Sequence, residues 1–417
     1  MERLTNLKIV IRTNWKKSVV GAIAFCYGAM KAKEKYDINL LMRAACREAS
    51  KYGDGPIPME QNPTHVTVIL NPVANKRNAK QDFEKYCEPL LHLAGLQVDV
   101  IQTSSEGNAK ELVETLRGTQ AIVVAGGDGT VSETVTGLLR RNDEANRFPL
   151  GILPLGRTNT IGNLLFEPGV GVLRVKQLIE ASMAIIKGST VWKDAMKIEP
   201  IEEEDEESLK KPIYALCAVE WGAFRDVSAK KHKYWLYGSL REYASYIFNG
   251  YRQSLNWHCK GTIKYSPPCD GCSNCVQKRP QIKRKWAFFM PTTSYAQTND
   301  PSNIVNSQCD SAKEICFQTS DFRIVTPNLQ NTQSTPALSI GIGKYNYKYT
   351  EFVSEGWARV RDNRIKDAIL ARSVVLYPKE HFGATVIDID REEYEAKPIK
   401  VTLLPKVVKL FCKHYDK

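Results

Sequence analysis

The run Gly126-Gly127-Asp128-Gly129-Thr130 holds residue types suited to handling phosphate. Glycines let a backbone approach a ligand with no Cβ in the way, and the first amides of a following helix point outward with partial positive charge. An aspartate in such a turn would repel a bare phosphate. Asp128 therefore needs another task, either accepting a proton or contacting a metal that the phosphates carry. Thr130 and Glu133 have the spacing of a capping box, the threonine bonding the Glu133 amide and the glutamate reaching back. Glu133 is thus open to two readings, a cap or part of a site.

Several elements must position this turn. Ala121 to Ala125 is an apolar, β-branched run of the kind that makes a strand buried on both faces, and Val131, Val135, Leu138 and Leu139 recur at helical spacing after it. The same strand-to-helix pattern precedes it. Val66 to Leu70 reads as a strand ending at Asn71-Pro72, and Lys80 to Ala94 as a helix closed by Gly95. Leu96 to Thr103 is a further strand, with a helix to about Leu116. Leu150 to Leu153 is a short strand ending at Pro154-Leu155-Gly156-Arg157-Thr158-Asn159. Alternating strands and helices imply a mostly parallel sheet that binds ligands beyond the carboxyl ends of its strands. The polar turns at Asn71, Thr103, Gly126 and Gly156 all fall at those ends, which points to a nucleotide site. No Gly-x-x-x-x-Gly-Lys-Ser/Thr, His-Arg-Asp or Asp-Phe-Gly run is present, which excludes the P-loop and protein-kinase patterns.

The second half reads differently. The acidic run Glu202 to Glu207 predicts a solvated loop, Tyr214 to Phe224 a buried strand, and Lys230 to Asn249 a helix rich in Tyr and Trp. Beyond Ser320, short strands return at Phe322 to Thr326, Ala337 to Ile342, Val374 to Tyr377 and Thr385 to Ile389. Lys400 to Leu404 and Val407 to Phe411 flank Pro405-Lys406 as a closing hairpin. The fold expected is an α/β domain with a mostly parallel sheet followed by a mainly β-sandwich domain, the active site lying in the cleft between them. The boundaries are 1–60 for an N-terminal targeting and anchoring segment, 61–190 for the α/β domain and 191–417 for the β-rich domain, with a Cys-containing insertion at about 266–310. In that insertion Cys269, Cys272 and Cys275 have the two-residue gaps of a metal knuckle; a structural zinc would need a fourth ligand, from Cys259, Cys309 or Cys316. Eleven cysteines at irregular spacing do not form a disulfide framework.

A net charge of +12 points to an anionic partner. The basic residues are spread along the chain and no nucleic-acid motif accompanies them, so a membrane surface or a phosphorylated substrate is expected instead of nucleic acid. Arg3, Lys8, Arg12, Lys16 and Lys17 against a single Glu2 resemble a mitochondrial targeting opening. Ser18 to Met30 is uncharged, but as a helix it would reach roughly 20 Å against a hydrocarbon core of about 30 Å, so a partly inserted anchor is favoured over a full span. Gly21 and Gly28 share one helical face and allow another helix to pack closely.

Taken together, Asn71-Pro72, Gly126 to Thr130 with Glu133, Pro154-Leu155-Gly156 with Asn159, Trp221-Gly222 with Asp226, Gly238 with Arg241, and Asp390 with Glu392 resemble the catalytic domain of the diacylglycerol kinase, sphingosine kinase and ceramide kinase family. The resemblance covers about residues 65 to 415. It implies a lipid kinase that uses ATP and Mg²⁺ to phosphorylate mono- and diacylglycerol to lysophosphatidic and phosphatidic acid. By the same resemblance, Asp128 is the base. Gly126, Gly127, Gly129 and Thr130 cradle phosphates, Asn71, Thr103, Gly156 and Asn159 line the nucleotide pocket, and Arg241 meets the phosphates. Glu392 lies close to the nucleotide and Asp226 holds the polar head of the lipid. The loop after Asn71-Pro72 lacks the glycines common in relatives, and Arg157 adds a cation where many have none. Mitochondrial members imply an inner-membrane or intermembrane-space location and a further role, that of a non-catalytic subunit of the inner-membrane carrier translocase. NAD kinase, which shares the Gly-Gly-Asp-Gly turn, is the remaining alternative.

Overall fold

One long helix, Trp15–Gly53 (α1), opens the chain in a computed structural model that describes residues 15–55, 64–141, 148–201, 211–252, 258–269, 311–329, 336–365, 367–382 and 385–413, with Cys272, Asn306 and Cys309. Arg3, Lys8, Arg12, the acidic run Glu202 to Glu207 and Cys275 lie outside these residues. At 1.5 Å per residue α1 is ~58 Å long, and its two ends behave differently. Ala45 and Ala49 are buried against Leu90, Val175, Ile179 and Met183, whereas Val20, Ile23, Phe25, Tyr27 and Met30 stand exposed. No helix among the described residues is long and apolar enough to cross a membrane.

The α/β half follows. Strands His65–Leu70 (β1), Gln97–Gln102 (β2), Ala121–Gly126 (β3) and Leu150–Pro154 (β4) pair in parallel in the order β2-β1-β3-β4. Every residue of β3 is buried, as its unbroken apolar run requires, while β2 at the edge is largely exposed. The helices are Ala79–Tyr86 (α2), Glu88–Leu93 (α3), Asn108–Thr115 (α4), Asp128–Arg140 (α5), Thr160–Leu165 (α6) and Val172–Lys187 (α7). The single helix expected over Lys80 to Ala94 is thus two, broken at Cys87. Pro89 has no amide to continue the helical ladder and fits only a first turn, which is where it sits in α3.

The second half forms two antiparallel layers. Thr190–Pro200 (β5), Ile213–Ala215 (β6), His258–Ser266 (β8), Lys313–Thr319 (β9), Ser373–Phe382 (β13) and Ile399–Phe411 (β16) extend the first sheet. Ala218–Gly222 (β7), Asp321–Val325 (β10), Leu338–Ile342 (β11), Ile369–Ala371 (β12), Val386–Ile389 (β14) and Glu392–Glu395 (β15) make a second sheet in the order β12-β11-β10-β7-β14-β15. Met196, Ile263, Val374 and Val401 from one layer meet Trp221, Phe322, Ile340 and Ile387 from the other in a shared core. Helices Ala223–Ala229 (α8), Arg241–Arg252 (α9) and Tyr349–Arg361 (α10) pack outside it.

Four local expectations are corrected. Tyr214 to Phe224 is not one strand, because the chain leaves β6 in the first sheet and enters β7 in the second. The Asp390 carboxylate accepts the Leu216, Cys217 and Ala218 amides at 2.5, 2.9 and 2.9 Å across that step. Lys230 to Asn249 is a 3₁₀ stretch over Lys230–Leu240 followed by α9, interrupted where Gly238 takes φ 53°. Helix α10 stands where only strands were expected. Lys400 to Phe411 is one strand, β16, and not a hairpin. Pro405 cannot donate to a ladder, so residues 405–407 bulge out between the pairs Leu404↔Ala195 and Val408↔Lys193, and the Lys406 amide donates to Asp194 Oδ1 at 2.7 Å.

Candidate active site

The four strand-end turns converge. Asn71, Thr103, Gly127, Asp128, Gly129, Thr130, Gly156 and Glu392 line one open cavity of about 810 Å³. Asn71, at the end of β1, donates from Nδ2 to Thr130 Oγ1 at 3.1 Å and accepts the Val73 amide on Oδ1 at 3.2 Å, tying the first turn to the third. The turns of β3 and β4 touch backbone to backbone. A Cβ on Gly156 would stand 2.1 Å from Gly127 Cα, and one on Gly126 would stand 2.7 Å from Thr130 Oγ1. Glycine is demanded at these positions by protein meeting protein as well as by any ligand. Asn159 lies behind the cavity wall and closes its own turn, accepting the Gly156 amide on Oδ1 and donating from Nδ2 to the Gly156 carbonyl, both at 2.9 Å. Gly126 is the last residue of β3 and does not itself line the cavity.

Asp128 begins α5, with Gly127 as the preceding cap residue. Its side chain is buried, and Thr160 grips both oxygens: the Thr160 amide donates to Oδ1 at 2.6 Å and its hydroxyl to Oδ2 at 2.9 Å. Burial pushes the Asp128 carboxyl above its ordinary range, opposed by the Thr160 bonds and the nearby Arg391 charge. Asp128 also faces a second, very small cavity bounded by Cys217, Glu220, Asp388, Asp390 and Arg391, so it stands where the large cavity opens toward the second sheet.

Glu133 resolves against the capping box. Its Oε1 accepts the Gly107 amide at 2.8 Å and its Oε2 the Ala109 amide at 3.1 Å, so it caps the neighbouring α4 rather than its own helix, while Thr130 is occupied by Asn71. Its side chain still reaches the large cavity.

The far wall comes from the β14-β15 hairpin. Ile389 pairs with Glu392, leaving Asp390 and Arg391 as a two-residue turn at φ 47° and 75°. Such turns normally take Asn-Gly, and holding two side-chain-bearing residues there stores local strain. The strain aims Arg391 at the junction of the cavities, 3.5 Å from Glu220, with its amide on Asp388 Oδ1 at 2.6 Å. Burial lifts the Glu392 carboxyl to about 7 even though Tyr394 donates to its Oε2 at 2.8 Å. Gly129 faces it closely, since a Cβ there would lie 3.0 Å from Glu392 Oε1.

Two expected site residues lie elsewhere. Arg241 opens α9 and does not line the large cavity; with Arg157 and Lys231, and with burial as the largest cause, it presses His232 down to about 4. Asp226 is held by Arg225, whose Nη1 donates to it at 2.8 Å, and burial raises its carboxyl. Sequence reasoning missed Arg391 and Thr160. The break in strand alternation at Asp390-Arg391 was the available sign of the first; nothing in the sequence marked the second as the partner of Asp128.

Residues 65–198 match the diacylglycerol kinase catalytic domain family and residues 216–417 the acylglycerol kinase C-terminal family. The mitochondrial acylglycerol kinase of Homo sapiens is 34% identical over 418 residues, covering 96% of this chain and 95% of the human protein. That of Xenopus laevis is 34% identical over 431 residues, covering 99% and 96%. Among solved structures, a diacylglycerol kinase from Bacillus anthracis covers 85% of this chain and 98% of its own at 17% identity and a TM-score of 0.51, a likeness of fold. Two family matches that together span both halves, and full-length relatives at this identity, leave one conclusion: the chain belongs to the acylglycerol kinase family and is a lipid kinase.

Proposed function

We propose that the protein transfers the γ-phosphoryl of ATP to the free hydroxyl of mono- and diacylglycerol, with Asp128 as the proton acceptor. The observation that carries this reading is Asp128 itself, buried, fixed by Thr160 and, with Arg391, lining both the nucleotide-sized cavity and the space leading to the second sheet. A carboxylate lifted above its ordinary range by burial is a stronger base, and fixing both its oxygens leaves the substrate hydroxyl one approach. Phosphoryl transfer otherwise depends on positioning and charge neutralisation. Asn71, Thr103 and the turns at Gly127 to Thr130 and Gly156 supply the position, and Arg157 and Arg391 the positive charge.

The large cavity carries Lys76, Arg157 and Arg391 against Glu106, Asp128, Glu133, Glu392 and Glu393, three cations to five acids. A polyanionic nucleotide entering alone would meet net repulsion, and the acids offer only oxygen donors, which fits a hard cation. Mg²⁺ bound to the phosphates would supply that charge, and Glu392 and Glu106, both in the cavity lining, would hold it. Asp226 and Arg241 do not line this cavity, so their expected contacts with lipid head and phosphate rest on the family resemblance alone. Replacing Asp128 by Asn should lower phosphate transfer from labelled ATP to acylglycerol by ~10²–10⁴-fold with the circular dichroism unchanged; undiminished turnover would sink the assignment.

The exposed half of α1 supports a membrane-surface location, in keeping with the mitochondrial relatives. Val20, Ile23, Phe25 and Met30 are apolar side chains left largely exposed by the described residues. Deleting residues 1–30 should abolish flotation with anionic vesicles while sparing activity toward detergent-dispersed substrate, and unchanged flotation would refute it. Gly21 and Gly28, with open space above each, favour a second reading in which the helix packs on a subunit of the inner-membrane carrier translocase. The same deletion should then release the protein from that complex, and persistent co-purification counts against it.

A further inference from the structure

The antiparallel strands β8 and β9 pair from Cys259↔Thr319 to Tyr265↔Lys313, and at the open end of that pair the chain makes its long insertion. The polypeptide leaves β8 through Pro267, Pro268 and Cys269, and returns to β9 from Cys309. At this end the sulfurs of Cys269, Cys272 and Cys309 all lie within 4.8 Å of one another, with Cys272 and Cys309 buried. Cys259 and Cys316, the other donors the sequence offered, point elsewhere: Cys259 is in the sandwich core and Cys316 is exposed on β9. Cys275 lies outside the described residues.

Two nitrogen donors are aimed at the cluster. Arg372 Nη1 stands 3.4 Å from Cys309 Sγ, and Asn306 Nδ2 stands 3.4 Å from Cys269 Sγ. Arg372 is anchored at the same sheet end by its amide on the Ser266 carbonyl at 2.9 Å. A cation and an amide directed at sulfur are the kind of outer contacts that orient metal ligands. A disulfide would join two sulfurs at about 2.05 Å and exclude the third, whereas three sulfurs around one point suit a tetrahedral ion with metal–sulfur bonds of about 2.3 Å, whose ligands stand about 3.8 Å apart. Soft thiolates, with no carboxylate in the cluster among the described residues, select zinc over magnesium or calcium.

We propose that Cys269, Cys272 and Cys309 supply three of the four ligands of one structural Zn²⁺, which staples the two ends of the insertion to the β8-β9 edge. The ion would neutralise clustered thiolates and tie together the two ends of the insertion. None of its three cysteines lines the large cavity, which makes it a stability element separate from the phosphoryl-transfer residues. The full chain purified under reducing conditions without added metal should hold about one zinc per molecule by plasma mass spectrometry, releasable by a mercurial reagent into a colorimetric chelator. Cys269→Ser and Cys309→Ser should lose most of that zinc and melt at lower temperature, and Cys316→Ser should keep it. Arg372→Gln should weaken zinc binding by about 10–100-fold in chelator competition. Wild-type protein without zinc, with iron in its place, or with a disulfide between any two of the three cysteines under these conditions overturns the proposal. If the serine variants fail to fold, zinc content and mercurial release of the wild type decide it alone.

Discussion

The larger cavity is bounded by main-chain turns and carboxylates that outnumber its cations, whereas the smaller one of about 140 Å³ beyond Arg391 is lined by the cations Arg225, Lys231, Arg323, Arg359 and Arg391 against the acids Glu220, Glu242 and Asp321. In the smaller one the charges are already paired. Arg359 meets Asp321 at 2.6 Å, Lys231 meets Glu242 at 2.6 Å, and Arg225 reaches Asp226 and Asp388 at 2.8 and 3.4 Å. The larger cavity is left short of positive charge and awaits it from a guest; in the smaller the cations are tied into ion pairs, some with acids behind the lining such as Asp226 and Asp388, and these pairs hold its shape. Arg391 belongs to both, which makes it the hinge of the comparison.

The largest expected effect falls on Asp128→Asn, which removes the proposed base and leaves both cavities standing. Next is Arg391→Met. It strips the cation between Glu220 and Asp388, and losing one partner of a largely buried cluster costs on the order of 3 kcal/mol. Urea unfolding should show that loss together with a fall in activity; a variant that lost activity alone would mean the two cavities do not share a support. Gly156→Ala comes third. Its methyl would overlap Gly127, forcing the two turns apart at a cost of about 1–3 kcal/mol. The KM for ATP should rise more than kcat falls, and an unchanged KM would show that the backbone contact does not shape the nucleotide side.

The smallest effect is a pH dependence. Burial holds Glu392 near 7, above its ordinary 4.5, so folding favours the protonated acid. Its stabilising contribution is present at acid pH and is lost as pH rises from 4.5 through about 7. Glu392→Gln cannot ionise and should flatten the decline of melting temperature across that window. Parallel wild-type and variant curves would remove Glu392 from the buried edge of the larger cavity.

What the sequence disclosed followed what is local in it. Three of the parallel strands announced themselves as largely apolar runs and the edge strand β2 by alternation, each ending near a turn residue, and the turns at Asn71, Thr103, Gly127 and Gly156 had to meet once the strands were aligned. Contacts between distant segments had no such signature. Thr160 holds Asp128 from the next turn, Glu133 caps a helix that precedes it in the chain, and Arg391 enters from a hairpin more than two hundred residues away. The missed breaks differ in cause: Pro89 after Cys87 and Gly238, which takes a positive φ, are local signals overridden by the helical pattern around them, whereas the break at Cys217 lies in an apolar run that only tertiary demand divides. Pro405 was noticed and misread, because a proline that ends a ladder and a proline in a bulge look alike until the opposing strand is known.

Strand β16 crosses from one half to the other. Its first residues pair with β13 in the sandwich, Leu410 pairs with Leu150 beside the parallel strands, and β5 runs along its whole length. During synthesis, then, the α/β half cannot finish on its own: β4 keeps a bare edge until the chain past Phe411 has left the ribosome. The parallel strands and the sandwich reach completion together, through a strand made after nearly everything it joins.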